Sequence, residues 1–202
     1  MVRYAITDRR MFGRHERDCC DAVIAQAGRL ARRGVDVIQL RETDLPVGDL
    51  EVLASQLCEA MRGFGETAPK VLVNGSVRVA IASGADGMHL RGGASAREIR
   101  SLRVAFVGAG RRPPVLSVSC HSVEEVREVT LFGVDYILFG PVFEKRVHGT
   151  LVTPGRGIDA LREACKQTSA RNILALGGIT EQNASFCVES GAVGIAGIRM
   201  FL

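Results

Sequence analysis

The chain has 202 residues and a mass of 21.7 kDa, enough for one full domain and too short for two comfortable ones. Apolar residues make up 47% of it and the mean hydropathy is +0.14, which excludes wholesale disorder. Its 26 Lys and Arg against 22 Asp and Glu leave a mildly basic +4; with 5% aromatics and no Trp, the basic stripe and stacking platform of a nucleic-acid binder are not expected.

The opening Met-Val-Arg-Tyr-Ala-Ile-Thr-Asp reads as a strand over 2–8, with no charged n-region, apolar h-region or cleavage site. A helix over 18–33 carries Val23, Ile24, Ala27, Leu30 and Ala31 at helical spacing and stops at Gly34. Next come a strand over 35–40 and a helix over 46–64, then a strand over 70–73 and a short helix over 77–83. A strand over 87–90 and a helix over 96–106 lead to a strand over 115–120, a helix over 124–130 and a strand over 136–139. After a long loop the pattern closes with a helix over 158–167, a strand over 173–176, a helix over 181–189 and a strand over 193–198.

Eight apolar strands separated by helices imply parallel strands buried on both faces. The predicted architecture is α/β, a single-domain (β/α)8 barrel over 1–202, with a doubly wound open sheet as the alternative. The sequence stops at Leu202, so the eighth helix is expected to be truncated or absent. No apolar run approaches the ~18 residues of a membrane span, so no membrane partner is expected and the expected compartment is the cytoplasm. The six cysteines lack C-x-x-C spacing and read as reduced, buried small hydrophobes.

In a parallel barrel the ligand sits on the loops that follow the strands. The second strand ends Gln39-Leu-Arg41-Glu42, where alternation puts Gln39 and Arg41 on one side. Arg41 offers a fork for phosphate or carboxylate, or else pairs with Glu42 or Asp44. Asn74 at the third strand's end offers a donor and an acceptor, or is simply a turn residue before Gly75. Gly177-Gly178 and Gly197-Ile198 end the last two strands, where bare backbone N–H groups suit a phosphate and Thr180 could cap the next helix. Arg199 adds a positive charge there or makes a surface ion pair. Ser119-Cys-His-Ser122 ends the fifth strand. His121 stands where a general acid/base would stand, and equally where a helix N-terminal flank would, before Ser122, Glu124 and Glu125. His15, His89 and His148 compete: His15 reads as solvated, His89 as a hydrogen-bonded structural residue, and His148 as part of the long loop.

Six segments together resemble the thiamine-phosphate synthase and TenI superfamily over nearly the whole chain. They are Tyr4-Ala-Ile-Thr-Asp8, Gln39-Leu-Arg-Glu42, Gly84-Ala-Asp-Gly-Met-His-Leu90, Ser119-Cys-His-Ser122, Asp135-Tyr-Ile-Leu-Phe-Gly-Pro-Val-Phe143 and Ala175-Leu-Gly-Gly-Ile-Thr180. The resemblance implies a phosphate-binding barrel of thiamine biosynthesis. Its synthases join a pyrimidine diphosphate to a thiazole phosphate with Mg2+, held by an Asp after the third strand's Asn and another past the fourth strand. Here Gly75 and Ala94 stand at those positions, and neither has a side-chain oxygen. Thr43 replaces the family's usual Lys, and Phe143-Glu-Lys-Arg-Val-His-Gly149 replaces its pyrophosphate loop; Lys145, Arg146 and His148 form either a lid or a solvated loop.

These departures resemble the TenI branch, the thiazole tautomerases. That likeness implies an isomerase that aromatises a carboxythiazole phosphate by proton transfer at His121, with no metal or other cofactor. Gln39, Arg41, Asn74 and Ser119 would line the heterocycle and carboxylate, and Gly178, Gly197, Ile198 and Arg199 the phosphate, although Arg199 replaces a commonly small residue. The expected ligand is a small phosphorylated thiazole or thiamine-related compound, and a homodimer is an ordinary expectation for the family. The alternatives are a thiamine-phosphate synthase with an atypical Mg2+ site, and a non-catalytic binder or regulator of the same ligands.

Overall fold

The structure is a computed structural model that describes residues 1–13, 16–147 and 150–202, so His15 and His148 lie outside the described residues. The first half of the chain runs β1 (Val2–Ile6), α1 (Glu16–Arg32), β2 (Val37–Leu40), α2 (Val47–Arg62), β3 (Lys70–Asn74), α3 (Val77–Ser83), β4 (Gly87–Leu90) and α4 (Ala96–Gly108). The second runs β5 (Val115–Cys120), α5 (Val123–Thr130), β6 (Tyr136–Phe139), β7 (Lys145–Val147), β8 (Thr150–Thr153), α6 (Ile158–Lys166), β9 (Ile173–Leu176), α7 (Ala184–Glu189) and β10 (Gly194–Gly197).

Eight of the strands close into a barrel in the order β1-β10-β9-β6-β5-β4-β3-β2, which sets aside the open-sheet alternative. A 3-10 turn, Arg199–Phe201, follows β10 in place of an eighth helix. The described residues group into two compact units. One comprises Met1–Arg3, Leu90–Ile99 and Leu116–Met200; the other comprises Tyr4–His89, Arg100–Val115 and Phe201–Leu202.

In the second of these units β1, β2, β3 and β4 pair in parallel, in a register that sets Ile6 beside Gln39, Gln39 beside Leu72 and Asn74 beside His89. Every residue of β2 is buried, as a strand covered on both faces requires. Leu50, Leu53, Leu57 and Met61 recur at helical spacing on the buried face of α2, which packs on α1 and α3. In the first unit β5, β6, β9 and β10 pair in parallel, and Leu116, Val118, Cys120, Ile137 and Phe139 are fully enclosed.

A recurring turn governs how alternate helices hand over to strands. Gly34-Val35-Asp36, Gly84-Ala85-Asp86, Gly133-Val134-Asp135 and Gly191-Ala192-Val193 each follow an odd-numbered helix and open an even-numbered strand. The glycine takes a left-handed φ of between +63° and +106°, which stops the helix at no steric cost. The next residue is buried, and at two of the turns the aspartate reaches the preceding strand. Asp86 Oδ2 accepts the Val71 N–H at 2.9 Å and Asp135 Oδ2 accepts the Leu116 N–H at 2.8 Å.

Three expectations are corrected. The long loop after β6 contains a two-stranded antiparallel hairpin, β7 and β8, built on the β-branched run Thr150-Leu-Val-Thr153. β1 ends at Ile6 rather than at residue 8, because Thr7 and Asp8 turn into the 3-10 segment Arg9–Met11, whose first amide is held by Glu42. α7 starts at Ala184, not at 181, because the Asn183 side chain accepts the Thr180 N–H at 2.8 Å and donates to the Gly178 carbonyl at 3.0 Å. Asn183, not Thr180, holds the N-cap position, and its side chain bonds the preceding loop rather than the helix.

Gly194 shows how closely strands approach within the first unit, since a Cβ there would lie 1.9 Å from the Val2 carbonyl oxygen. Gly194→Ala is expected to destabilise the protein by about 1–3 kcal/mol through forced strand displacement, measured by urea unfolding. An unchanged midpoint would contradict this packing.

Candidate active site

His121 follows β5 directly and is solvent-exposed. Its Nδ1 lies 2.7 Å from the carbonyl oxygen of Gly140, the residue after β6. A carbonyl can only accept, so Nδ1 is the nitrogen that donates, and of the two neutral tautomers the contact selects the one with its lone pair on Nε2. The ring is hemmed from another side by Gly92: a Cβ on that glycine would lie 3.4 Å from His121 Cδ2 and 3.2 Å from the Ser119 carbonyl oxygen. The backbone of His121 is fixed too. Its N–H donates to Glu125 Oε2 at 2.6 Å, and Ser122 Oγ accepts the Glu125 N–H at 3.2 Å, a reciprocal cap on α5. His121 is thus a helix flank that also carries an exposed imidazole.

The loops after β6 and β9 are zipped together. Val142 N–H donates to the Leu176 carbonyl at 2.8 Å, and Phe143 N–H to that of Gly177 at 3.1 Å. Gly178 is exposed at φ +65°, and a Cβ on it would stand 2.7 Å from Phe143 Cβ, so only glycine fits without displacement. Gly197 closes β10; Ile198 follows it half-buried, and Arg199 is exposed on the 3-10 turn. Ser119 sits half-buried on β5. His121, Ser119, Gly178, Gly197, Ile198 and Arg199 all belong to the first unit.

Gln39, Arg41 and Asn74 belong to the second. Gln39 is 1% exposed; its Oε1 accepts the Tyr4 hydroxyl at 3.2 Å and its Nε2 donates to Asn74 Oδ1 at 3.3 Å. Asn74 is therefore a strand-end partner and not merely a turn residue. Arg41 is half-buried and does not take up Glu42 or Asp44: both acids pair with Arg9, at 3.5 Å and 2.6 Å. Tyr4, Thr7, Arg9, Gly92 and Asn183 are supporting residues whose roles sequence reasoning missed, whereas Glu125 was read as part of the helix start. The Ser122-x-x-Glu125 spacing is the signal that made Glu125 legible.

The positions that the resemblance associates with Mg2+ do not fit the ion. Gly75 offers no side chain, Ala94 is a buried methyl, and among the described residues no three His, Cys, Asp or Glu side chains converge.

A family model described as thiamine monophosphate synthase matches residues 3–201. A protein of Geobacter sulfurreducens, provisionally named a thiamine-phosphate synthase, is 36% identical over 197 residues, covering 96% of this chain and 83% of its own. A thiamine-phosphate synthase of Roseiflexus sp. is 34% identical over 200 residues, covering 96% and 75%. Among solved structures, a thiamine phosphate pyrophosphorylase from Pyrococcus furiosus superposes with a TM-score of 0.75 at 26% identity, covering 98% of this chain and 85% of that one. The chain belongs to the thiamine monophosphate synthase family, a family of thiamine-biosynthesis enzymes.

His89, in β4 and 6% exposed, supplies a pH test. Burial, then the nearby Arg41 charge, pushes its pKa down to about 4. Its unfolded value is about 6.5, so between these limits the unfolded chain binds a proton that the folded one rejects. Stability is expected to be full above about pH 6.5 and to fall as the pH drops towards 4. His89→Gln should flatten that decline in denaturant melts, and an unaltered slope would contradict the assignment.

Proposed function

We propose that this thiamine-biosynthesis enzyme isomerises a phosphorylated thiazole carboxylate. Nε2 of His121 removes the proton from the ring carbon bearing the carboxylate, and the electron pair moves through the ring towards the exocyclic alkylidene carbon. The imidazolium then returns a proton to that carbon, leaving an aromatic ring and a neutral histidine. No atom is gained or lost. The carrying observation is the Nδ1 contact to Gly140, which fixes one tautomer and stabilises the transient cation through a charge-assisted hydrogen bond. The lack of a side-chain oxygen at Gly75 and Ala94 supports a reaction that does not need Mg2+ at those positions.

In this reading the glycine loops at 177–178 and 197–198 hold the phosphate, with Arg199 adding charge. Gln39, Arg41, Asn74 and Ser119 are the contacts that the resemblance implies for the heterocycle and its carboxylate.

The names of the relatives favour a second reading, the transfer that joins a pyrimidine diphosphate to a thiazole phosphate. Comparison supports that transfer better, and this chain's side chains support the isomerisation better.

Purified protein offered each substrate set, with and without Mg2+, separates the two. Isomerisation is expected without added metal, and His121→Ala should slow it by about 100-fold or more while product still binds. An unchanged rate in that variant removes the mechanism, and Mg2+-dependent formation of thiamine phosphate establishes the transfer. Tight product binding with no turnover of either substrate set identifies a binder.

A further inference from the structure

Glu42 is a buried carboxylate that the proton transfer does not use. It is 3% exposed, and its partners among the described residues are all donors. Oε1 accepts the Thr7 hydroxyl at 2.5 Å, both oxygens accept the Arg9 N–H at 3.2 and 3.1 Å, and Oε2 lies 3.5 Å from Arg9 Nη1. Arg9, itself 8% exposed, reaches on to Asp44 at 2.6 Å. Asp8, one residue away, is taken up by Arg10.

The polarity of this network is set by counting protons. A threonine hydroxyl has one proton, and Glu42 takes it. Thr7 Oγ1 is then turned to accept, and it accepts the backbone N–H of Arg41 at 3.0 Å. The Thr7 N–H donates to the carbonyl of Gln39 at 3.0 Å. Thr7 therefore brackets the end of β2 at both residues to which the proposed function gives substrate contacts, and Glu42 dictates which way its hydroxyl points. An amide in place of the carboxylate would set its NH2 either against the Arg9 N–H, donor against donor, or onto Thr7 Oγ1, which would then accept from it and turn its own proton away.

We propose that Glu42 is a positioning residue: through Thr7 it fixes the end of β2 and so presents Gln39 and Arg41 to a phosphorylated, carboxylated substrate. This rests on the reading that Arg41 touches that substrate.

The experiment compares wild type with Glu42→Gln, Thr7→Val, the double variant, Thr7→Ser and Arg41→Ala. Three readouts are taken on each: amide hydrogen exchange at Arg41, affinity for the carboxythiazole phosphate by calorimetry, and KM against kcat. Glu42→Gln and Thr7→Val are each expected to speed Arg41 exchange, weaken binding about tenfold and raise KM with little change in kcat. The double variant should be no worse than the poorer single one, because both break one chain of bonds. Thr7→Ser, which keeps the hydroxyl, should restore wild-type exchange and affinity. Should Glu42→Gln not fold, Thr7→Val carries the test alone. Unchanged Arg41 exchange in a folded Thr7→Val or Glu42→Gln protein overturns the inference, as does faster exchange with unaltered affinity where Arg41→Ala does bind weakly. Wild-type affinity in Arg41→Ala overturns instead the substrate role of Arg41, and the exchange readout still decides the positioning role.

Discussion

The hydrogen bond between His121 Nδ1 and the Gly140 carbonyl is the constraint on which the functional account turns. Without it the imidazole would be a solvated side chain at a helix start, free to rotate and to exchange tautomers. With it, one nitrogen is committed to donation and the other is left to collect a proton. The contact exists because β5 and β6 are adjacent and parallel, with Cys120 level with Phe139, so the residues following each strand meet. The Gly140 N–H also donates to the Cys120 carbonyl at 3.1 Å, so the acceptor is tied to the strand that carries the histidine. Glu125 then locks the His121 backbone from the other side.

The second unit follows the same logic with other groups. Tyr4, Gln39 and Asn74 form a chain of hydrogen bonds across three neighbouring strands, and Thr7 and Glu42 hold the loop that leaves β1. Here the half-buried Arg41 is backed by the buried Thr7 and Glu42, whose hydrogen bonds leave them little freedom. Such backing lowers the cost of ordering a binding residue when its ligand arrives.

Much of the barrel was legible because buried parallel strands are short, continuous and apolar. Five strands, over 87–90, 115–120, 136–139 and 173–176 among them, coincide closely with the reading, as does α3. The misses have physical causes. Residues 145–153 mix charge with β-branching, which hides a hairpin from hydrophobic periodicity. Arg9 and Glu42 are distant in sequence and are brought together where β1 and β2 pair, so the ion pair that proximity offered to Arg41 as one alternative belongs to Arg9. The Gly-x-Asp turns at 34, 84 and 133, and their counterpart at 191, escaped notice because three residues make a weak repeat until the helices between them are seen. His121 was legible as a residue, but the carbonyl that sets its tautomer was not, since backbone partners leave no mark in a sequence.

The central claim is that His121 takes a proton from one carbon of the substrate and, its solvent-exposed ring having exchanged with water, returns one to another. It is tested most directly by running the isomerisation in D2O and locating deuterium in the product by NMR. The account predicts deuterium at the former alkylidene carbon with the wild-type protein, and none above the uncatalysed background with His121→Ala. Equal labelling by the two proteins would contradict it.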